Sequence, residues 1–546
     1  MKINKVLIVG GGSSGWMTAA ALVRQHPDLD ITLMESSDIP TIGVGESTIG
    51  HINSYMDAVG LKDEDWMHYC NATYKTSIKF TNFRENPGEV GKHTFHYPFG
   101  VMDFTDKPFG PMEFFKLKMT YPEDFPSEEM ANFYHPHVIM ADKNKMTKNE
   151  NFEIRGFNFK YDTAYHMDAG LFGKYLKDQV CKPEGVKHII DSMVSATKNE
   201  DGSIKSIETK AGLSLEADLF IDCTGFRSLL LEQEMGSEWV TFHDTLQNDS
   251  AIATNLQYAD IENEMTSATN CTALSSGWVW NIPLYNRIGT GYVYSSKFLT
   301  PEQAEAEFKE HLISDDMDYQ GPIEVRKARL EKCEFRHIKI KHGCHKQAWI
   351  KNVVGIGLSN GFIEPLESTG LMLTHEGIMK MIDTLHQKKG KRITQWDIDS
   401  FNFTFYDQIN GFKDFISMHY TLSQRDDTPY WKYVTTGFNY SKSMVEYKPA
   451  IRSVYMDTAH RTVESHRYDL DMGGMIYIAA GQGYSPINAR TEHESKSRAQ
   501  EFDNWDASKS RNDWLEYRNG RLASVINSLP THYKYLTENI HNKGVK

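Results

Sequence analysis

The chain has few cysteines, no long apolar run and no excess of basic residues. None of its six cysteines forms a CxxC pair, so a disulfide framework is not expected and reduced thiols are. No apolar run approaches the roughly 20 residues that a membrane-spanning helix needs. The start, Met1–Val9, is too short for the apolar region of a signal peptide. Together these absences predict a cytoplasmic protein without a membrane partner.

Basic residues are fewer than acidic residues. Lys plus Arg total 59 against 73 Asp plus Glu, a formal net charge of −14, which disfavours nucleic acid as a partner. With 40% apolar and 12% aromatic residues, the 546-residue chain can bury a large core. We also predict no metal, because the spacing of one loose cluster matches no zinc site: Cys333, His337, His342, Cys344 and His345.

The N-terminus has the pattern of a dinucleotide-binding turn. A buried strand at 5–9 leads into Gly10, Gly12 and Gly15, and a helix follows at 17–24. These glycines permit the tight turn, the approach of the backbone to a pyrophosphate and the packing of helix on strand. A second strand ends on Glu35, which can accept hydrogen bonds from ribose hydroxyls. We predict that the same turn contacts the cofactor through Ser13, Ser14 and Trp16.

Two later segments favour FAD over a nicotinamide. The strand at 217–223 ends on Thr224-Gly225, and the strand at 352–356 ends on Gly357-Leu358. Their order resembles that of the large FAD-binding two-dinucleotide-fold proteins. Because no second GxGxxG turn is present for NAD(P)H, we expect a flavin reductase to supply FADH2.

A pair of tryptophans lies far from these segments in sequence. Trp278 and Trp280 are two residues apart before Pro283, so on a strand they point to one side. They are either ordinary core aromatics or a barrier that keeps a substrate away from the flavin.

Several motifs together identify a family. They are Gly10–Gly15, Gly43–Thr48, Tyr74–Phe80, Trp278–Pro283, Gly361–Gly370 and Arg425–Trp431. Across nearly its whole length the chain resembles the flavin-dependent halogenases of the tryptophan-halogenase type. The Trp-x-Trp-x-Ile-Pro motif is the most discriminating of these matches.

The resemblance implies a reaction with two separated sites. FADH2, O2 and a halide (chloride, bromide or iodide) would make hypohalous acid at the flavin, near Gly45, Glu46 and Ser47, with halide on Thr369 and Gly370. A lysine would then aim the oxidant at a small aromatic substrate. We assign that role to Lys79, since burial between Ile78 and Phe80 would lower its pKa and favour a neutral amine. The alternative is a lysine that extends from a half-buried strand into solvent.

Glu367 and Ser368 complete the predicted catalytic set. By the resemblance, Glu367 would stabilise the positive charge on the attacked ring or accept its proton, and Ser368 would bridge the lysine and the glutamate. A salt-bridging or capping glutamate is the structural alternative.

The substrate side departs from the family pattern. If Phe99 is the phenylalanine that sandwiches an indole, Tyr97 takes the place of a histidine, and His96 lies one step early, on the opposite face. Met475 and Ile476 stand where tryptophan-specific members have a tyrosine pair, and apolar groups do not offset the desolvation of a zwitterion. We therefore predict an indole or phenol as substrate, rather than free tryptophan.

The predicted fold is α/β: a Rossmann-like FAD-binding domain with a mainly helical C-terminal substrate region. We place the core at 1–400, with a substrate-side insertion at about 95–160, and the helical region at 401–546. A homo-oligomer is compatible with the sequence. The sequence is also compatible with two other functions: direct hydroxylation of an arene by a flavin monooxygenase, and a non-catalytic protein that kept the FAD fold.

Overall fold

The computed structural model describes residues 2–38, 45–88, 93–102, 107, 112–388, 392–436, 472–484 and 505–542. Gly43 and Val44 of one predicted motif lie outside these ranges, as does part of the predicted insertion, and the side chain of Met475 is not described.

A six-stranded sheet forms the nucleotide-binding half. Five of its strands are parallel, and an antiparallel strand covers one edge. Parallel strands end on the same edge of a sheet, so the turns after them meet there. In spatial order the strands are Trp349–Ile350, Val353–Gly355, Leu219–Asp222, Lys5–Val9, Asp30–Glu35 and Lys187–Ile190.

A seven-stranded mixed sheet forms the second half. Its register pairs Phe80 with Cys271, Cys271 with Trp280, and Ala273 with Trp278, so these side chains share one face. Lys79 alternates to the opposite face. In spatial order the strands are Arg336–Lys339, Ser250–Leu256, Ile288–Tyr294, Gly277–Pro283, Ala268–Ala273, Ser77–Thr81 and Thr94–Pro98.

Among the described residues there are also three smaller sheets of three strands each. One holds Glu46–Ser47, Ala164–Met167 and Thr73–Lys75, and it places Lys75 in a different sheet from Lys79. The second holds Ser214–Glu216, Ile204–Thr209 and Met193–Lys198, and the third holds Trp239–Thr241, Gly343–His345 and Gly361–Phe362.

Helices cover the sheets and make up the C-terminal part. Up to residue 388 the α-helices are Ser13–Gln25, Ile52–Val59, Asp63–Trp66, Met112–Thr120, Met130–Tyr134, His137–Asp142, Phe159–Asp162, Ala169–Tyr175, Ile261–Glu264, Pro301–Leu312, Ile323–Leu330 and Thr369–Gln387. After residue 392 they are Gln395–Thr421, Pro429–Thr436, Met472–Gly481, Ala507–Glu516, Ala523–Ser528 and His532–Leu536. The predicted α/β fold with a helical C-terminal region is confirmed.

The predicted insertion packs against the C-terminal helices. Phe114, Phe125 and Phe133 share an apolar cluster with Ile476 and Trp514. The predicted division at residue 400 stays a prediction, and the helix Gln395–Thr421 runs through that position.

Candidate active site

The glycine-rich turn has the shape that a dinucleotide needs. Gly10 has φ +111°, and a Cβ there would lie 2.2 Å from the carbonyl oxygen of Cys223. A Cβ on Gly15 would lie 1.9 Å from the carbonyl oxygen of Gly10. By contrast, a Cβ on Gly12 would meet no atom within 4 Å, so the space beside the helix N-terminus is open. This space and the free amides of the first helical turn fit a pyrophosphate.

The other predicted cofactor residues gather around the same opening. Glu35 lies against Gly11, where it accepts a hydrogen bond from His188 Nε2 at 2.7 Å. Gly225, with φ +67°, has open space beside it, and Gly357, with φ +73°, approaches Ser14. The partly exposed side chains of Leu358 and Phe226 add apolar surface. These residues fit a flavin dinucleotide.

Trp16, Ser13 and Thr224 do not present their side chains to this opening. Trp16 is 1% exposed and packs on His188, and its amide bonds to Gly12. Ser13 Oγ donates to the carbonyl of Ala169 at 3.0 Å. Thr224 Oγ1 is held by Asp222 and by the amide of Leu229. The Trp16 ring fills the core behind the helix, so only its backbone faces the turn, and its role in cofactor binding stays a prediction.

Lys75 is the buried lysine of this region. It is fully buried, and its Nζ donates to the carbonyl oxygen of Thr48 at 3.0 Å and to Ser368 Oγ at 2.7 Å. The ring of Phe99 lies 4.8 Å from the same nitrogen. Burial lowers the pKa of Lys75 to about 7, although the acidic groups Cys271 and Glu367 oppose that shift.

Glu367 lies on the face that holds the tryptophans. It is 2% exposed, and its Oε1 is 2.6 Å from His419 Nε2. His419 in turn packs on Phe80, with ring centroids 4.8 Å apart. Burial raises the pKa of Glu367, while His419 and Lys75 oppose that rise. The structure therefore brings Glu367 and Ser368 together with Lys75.

Lys79 is not part of this cluster. Its amino group pairs with Asp142 at 3.2 Å, and 27% of its side chain is exposed. Since Lys79 and Phe80 alternate across the strand, the sheet itself separates Lys79 from Glu367 and His419. The lysine beside the predicted carboxylate and serine is Lys75, and this corrects the assignment to Lys79.

The start of the helix Thr369–Gln387 is the predicted halide site. Ser368 has φ +58°, an uncommon conformation for a serine, and it turns the chain into the helix. The hydroxyl of Thr369 is buried without a hydrogen-bond partner among the described residues. A Cβ on Gly370 would meet only Glu46 Oε2, at 3.8 Å, so a small space lies beside the first amides. That space suits a small anion.

Glu46 and Ser47 form the other side of this space. Burial, and secondarily Asp168, raises the pKa of Glu46 to about 7, so its carboxyl is largely protonated in mildly acidic solution. A neutral carboxyl is compatible with a neighbouring anion. Ser47 Oγ accepts from Ser368 Oγ at 3.0 Å, and Gly45, with φ +92°, packs on Leu284.

The two tryptophans stand together on the sheet face described above. Trp278 is 1% exposed, and the ring centroids of Trp278 and Trp280 lie 6.1 Å apart. Trp278 Nε1 donates to Glu364, which also accepts from Tyr420 and from Asn248 Nδ2. Glu364 thus fixes the tryptophan pair to the segment that carries Glu367.

Tyr97 and His96 point to opposite faces, as predicted from their spacing. His96 Nδ1 lies 2.9 Å from Ser77 Oγ, and its Nε2 lies 3.1 Å from Asp142. Tyr97 instead contacts Phe99 and Phe415, with ring centroids 6.2 and 6.0 Å apart. Gly474 packs on Tyr97 and Phe415, which places the helix Met472–Gly481 over the aromatic side.

Sequence reasoning missed Lys75 and His419. The missing signal for Lys75 is the change of sheet at Thr76, whose amide bonds to Ser267 at 2.7 Å. An Ile-Lys-Phe setting suggests burial, but the strand alternation turns Lys79 away from the site. His419 comes from a distant segment, and no local pattern marks it.

Comparisons with known proteins assign the chain to a family. The tryptophan halogenase family model matches residues 5–496. The chain belongs to the tryptophan halogenase family. It is 31% identical over 556 residues to the 7-chloro-L-tryptophan 6-halogenase KtzR of Kutzneria sp. (strain 744), a match that covers 97% of this chain and 98% of the relative.

Solved structures show the same relationship. The structure titled VirX1 apo superposes with a TM-score of 0.86 at 43% identity, covering 99% of this chain and all of the other. The tryptophan 6-halogenase SttH from Streptomyces toxytricini superposes with a TM-score of 0.82 at 30% identity, covering 98% and 99%.

The family makes this chain a flavin-dependent halogenase, an oxidoreductase. Such enzymes generally use FADH2, O2 and a halide, act on an aromatic substrate and rely on a separate flavin reductase. Within the described ranges, no helix is long and apolar enough to cross a membrane.

Proposed function

We propose that this halogenase makes hypohalous acid at the flavin side and uses Lys75 to aim it at an electron-rich arene. The observation that carries the proposal is the buried cluster of Lys75, Ser368 and Glu367 beside the tryptophan pair. FADH2, when bound along the glycine-rich turn, supplies with O2 and halide the oxidised halogen. A separate reductase supplies the FADH2.

The residues of the chain then have distinct roles. The amides of Thr369 and Gly370 hold the halide at the open space beside Glu46. Trp278 and Trp280 keep the arene from the flavin, so that only a small oxidant passes. The amine of Lys75, fixed by Thr48 and Ser368, holds the oxidised halogen at one position.

Glu367 acts after the halogen has been transferred to the ring. When the halogen joins the ring, the arene becomes cationic and must lose a proton. Glu367 stabilises that cation and accepts the proton, with His419 2.6 Å away to share it. Aromatic side chains, including Phe99 at 4.8 Å from Lys75 Nζ, flank the position where the ring would lie.

We further propose that the preferred arene is less polar than free tryptophan. The support is the helix Met472–Gly481, where Gly474 packs on Tyr97 and Phe415, and Ile476 is buried in an apolar cluster. His137 packs on His135, which contacts Tyr477 of this helix, and burial holds the pKa of His137 well below its usual value, so it offers a neutral ring rather than a charge. The relatives KtzR and SttH are named for the halogenation of 7-chloro-L-tryptophan and of tryptophan, so this chain would differ from them in its preferred substrate.

The experiment is a halogenation assay with reductase-supplied FADH2, chloride, bromide or iodide, and mixtures of indole, a phenol and tryptophan. Mass spectrometry should show a halide-dependent mass shift on the arene, with indole consumed before tryptophan. A hydroxylated product that forms without halide would contradict the halogenation chemistry. A preference for tryptophan over indole of more than about tenfold in kcat/KM would contradict the substrate proposal alone.

A further inference from the structure

A continuous chain of buried hydrogen bonds runs from Lys75 Nζ to the carbonyl oxygen of Pro283. Each member is buried, and Ser47 is the member that also borders the predicted halide space. In order, the links are Lys75 Nζ to Ser368 Oγ at 2.7 Å, Ser368 Oγ to Ser47 Oγ at 3.0 Å, Ser47 Oγ to Thr269 Oγ1 at 2.6 Å, Thr269 Oγ1 to His166 Nε2 at 2.9 Å, His166 Nδ1 to Thr73 Oγ1 at 3.2 Å, and Thr73 Oγ1 to the carbonyl oxygen of Pro283 at 2.6 Å.

The last link fixes the direction of the others. A proline carbonyl only accepts, so Thr73 donates its hydroxyl proton and accepts from His166 Nδ1–H. His166 is neutral, because burial, and then the charge of Lys75, hold its pKa well below the usual value. Its Nε2 therefore carries a lone pair and accepts from Thr269.

The same direction continues to Lys75. Thr269 donates to His166 and accepts from Ser47, which in turn accepts from Ser368. Ser368 has given away its only proton, so toward Lys75 it can only accept. Because the carbonyl of Thr48 also accepts, both N–H bonds of a neutral Lys75 are used and its lone pair remains free.

We propose that His166 is a positioning residue that orders this chain, keeps Ser368 an acceptor, and so keeps the lone pair of Lys75 available to the oxidised halogen. The proposal rests on the proposed role of Lys75. In the step that it serves, the amine forms an N–halogen bond as the halogen–oxygen bond of hypohalous acid breaks. The hydroxide that leaves takes the proton lost from nitrogen and becomes water.

Breaking the chain in the middle gives a specific signature. If Thr269 becomes Val, Ser47 no longer has an acceptor beyond it and can donate back to Ser368. Ser368 is then free to donate to the lone pair of Lys75, which stabilises the neutral amine but blocks it. The pKa of Lys75 should fall while turnover also falls, whereas a loosened pocket would admit water and raise that pKa.

The test compares Thr269→Val with Thr269→Ser, which keeps the hydroxyl. NMR of protein labelled at the lysine ε-carbon, with the Lys75 signal identified by its loss in Lys75→Arg, reports the pKa without any flavin. For Thr269→Val we expect a fall in the Lys75 pKa of at least about 0.5 and a fall in kcat of about tenfold, with the KM for the arene unchanged. Thr269→Ser should match the wild type, and His166→Phe should follow Thr269→Val.

Unchanged Lys75 pKa and kcat in Thr269→Val would overturn the proposal, and so would a pKa that rises toward 10.5. If Thr269→Val does not fold, Ser47→Ala breaks the neighbouring link and carries the same expectation. If Lys75→Arg still halogenates normally, the proposed function fails. The fall of the Lys75 pKa in Thr269→Val would then still show that the chain of hydrogen bonds orders Ser368.

Discussion

Lys75 and Lys79 lie four residues apart in the chain but in two regions of different character. Lys75 ends a short strand of a three-stranded sheet, is fully buried and has a pKa of about 7. Lys79 lies in the seven-stranded sheet, keeps 27% of its side chain exposed and pairs with Asp142. The difference shows that sheet assignment, rather than neighbouring apolar residues, decides which lysine is buried beside Ser368 and Glu367.

Among these comparisons, we expect the largest difference in kcat when the carboxylate beside each lysine is replaced by its amide. Glu367→Gln removes the proton acceptor of the site, so kcat should fall by about 100-fold or more with little change in FAD affinity. Asp142→Asn removes only the partly exposed partner of Lys79 and should change kcat by less than about threefold. Equal losses in the two variants would contradict the distinction between the two regions.

The pH dependence of turnover should follow Lys75. Because burial lowers its pKa to about 7, the neutral fraction of the amine grows as pH rises through that value. Between pH 6 and pH 8, kcat should therefore rise about tenfold with saturating arene and FADH2. The control is Asp142→Asn, which should keep this inflection. A rate that falls over the same range would show that the neutral amine is not the working form.

The two lysines should also differ in their effect on the free energy of unfolding, although by less than in their effect on turnover. Between about pH 7 and 10 the unfolded chain holds a proton on Lys75 that the folded protein lacks, so this group adds stability as pH rises. Lys75→Met removes that dependence and should be stabilising at pH 7 by about 1–4 kcal/mol, less so at pH 9. Denaturant unfolding at both pH values measures the difference.

Lys79→Met is the matched control for stability. It removes a partly exposed ion pair and should change the free energy of unfolding by less than about 1 kcal/mol at either pH. A larger change with Lys79→Met than with Lys75→Met would contradict the burial difference.

Sequence patterns predicted the fold of the glycine-rich turn and its flanking elements well because their signals are local. The tight turn at Gly10, the packing at Gly15 and the strand that ends on Glu35 all lie within one strand–helix–strand unit. The α/β fold and its helical C-terminal region follow from the same periodic patterns.

The cluster around Lys75 and Glu367 could be predicted only in part. Glu367 and Ser368 belong to one motif, and they do lie together in the structure. Which lysine joins them depends on the passage between two sheets at Thr76, and which histidine joins them depends on a helix some 50 residues later in the chain. Such long-range pairings leave no periodic trace in a single sequence.

The most direct test of the account compares Lys75→Met with Lys79→Met in one assay that follows both the halogenated arene and a soluble trap for hypohalous acid. We expect Lys75→Met to keep FAD binding and still release trapped oxidant, but to lose halogenated arene by more than about 100-fold, while Lys79→Met stays near the wild type. Normal product from Lys75→Met together with loss of product from Lys79→Met would contradict it.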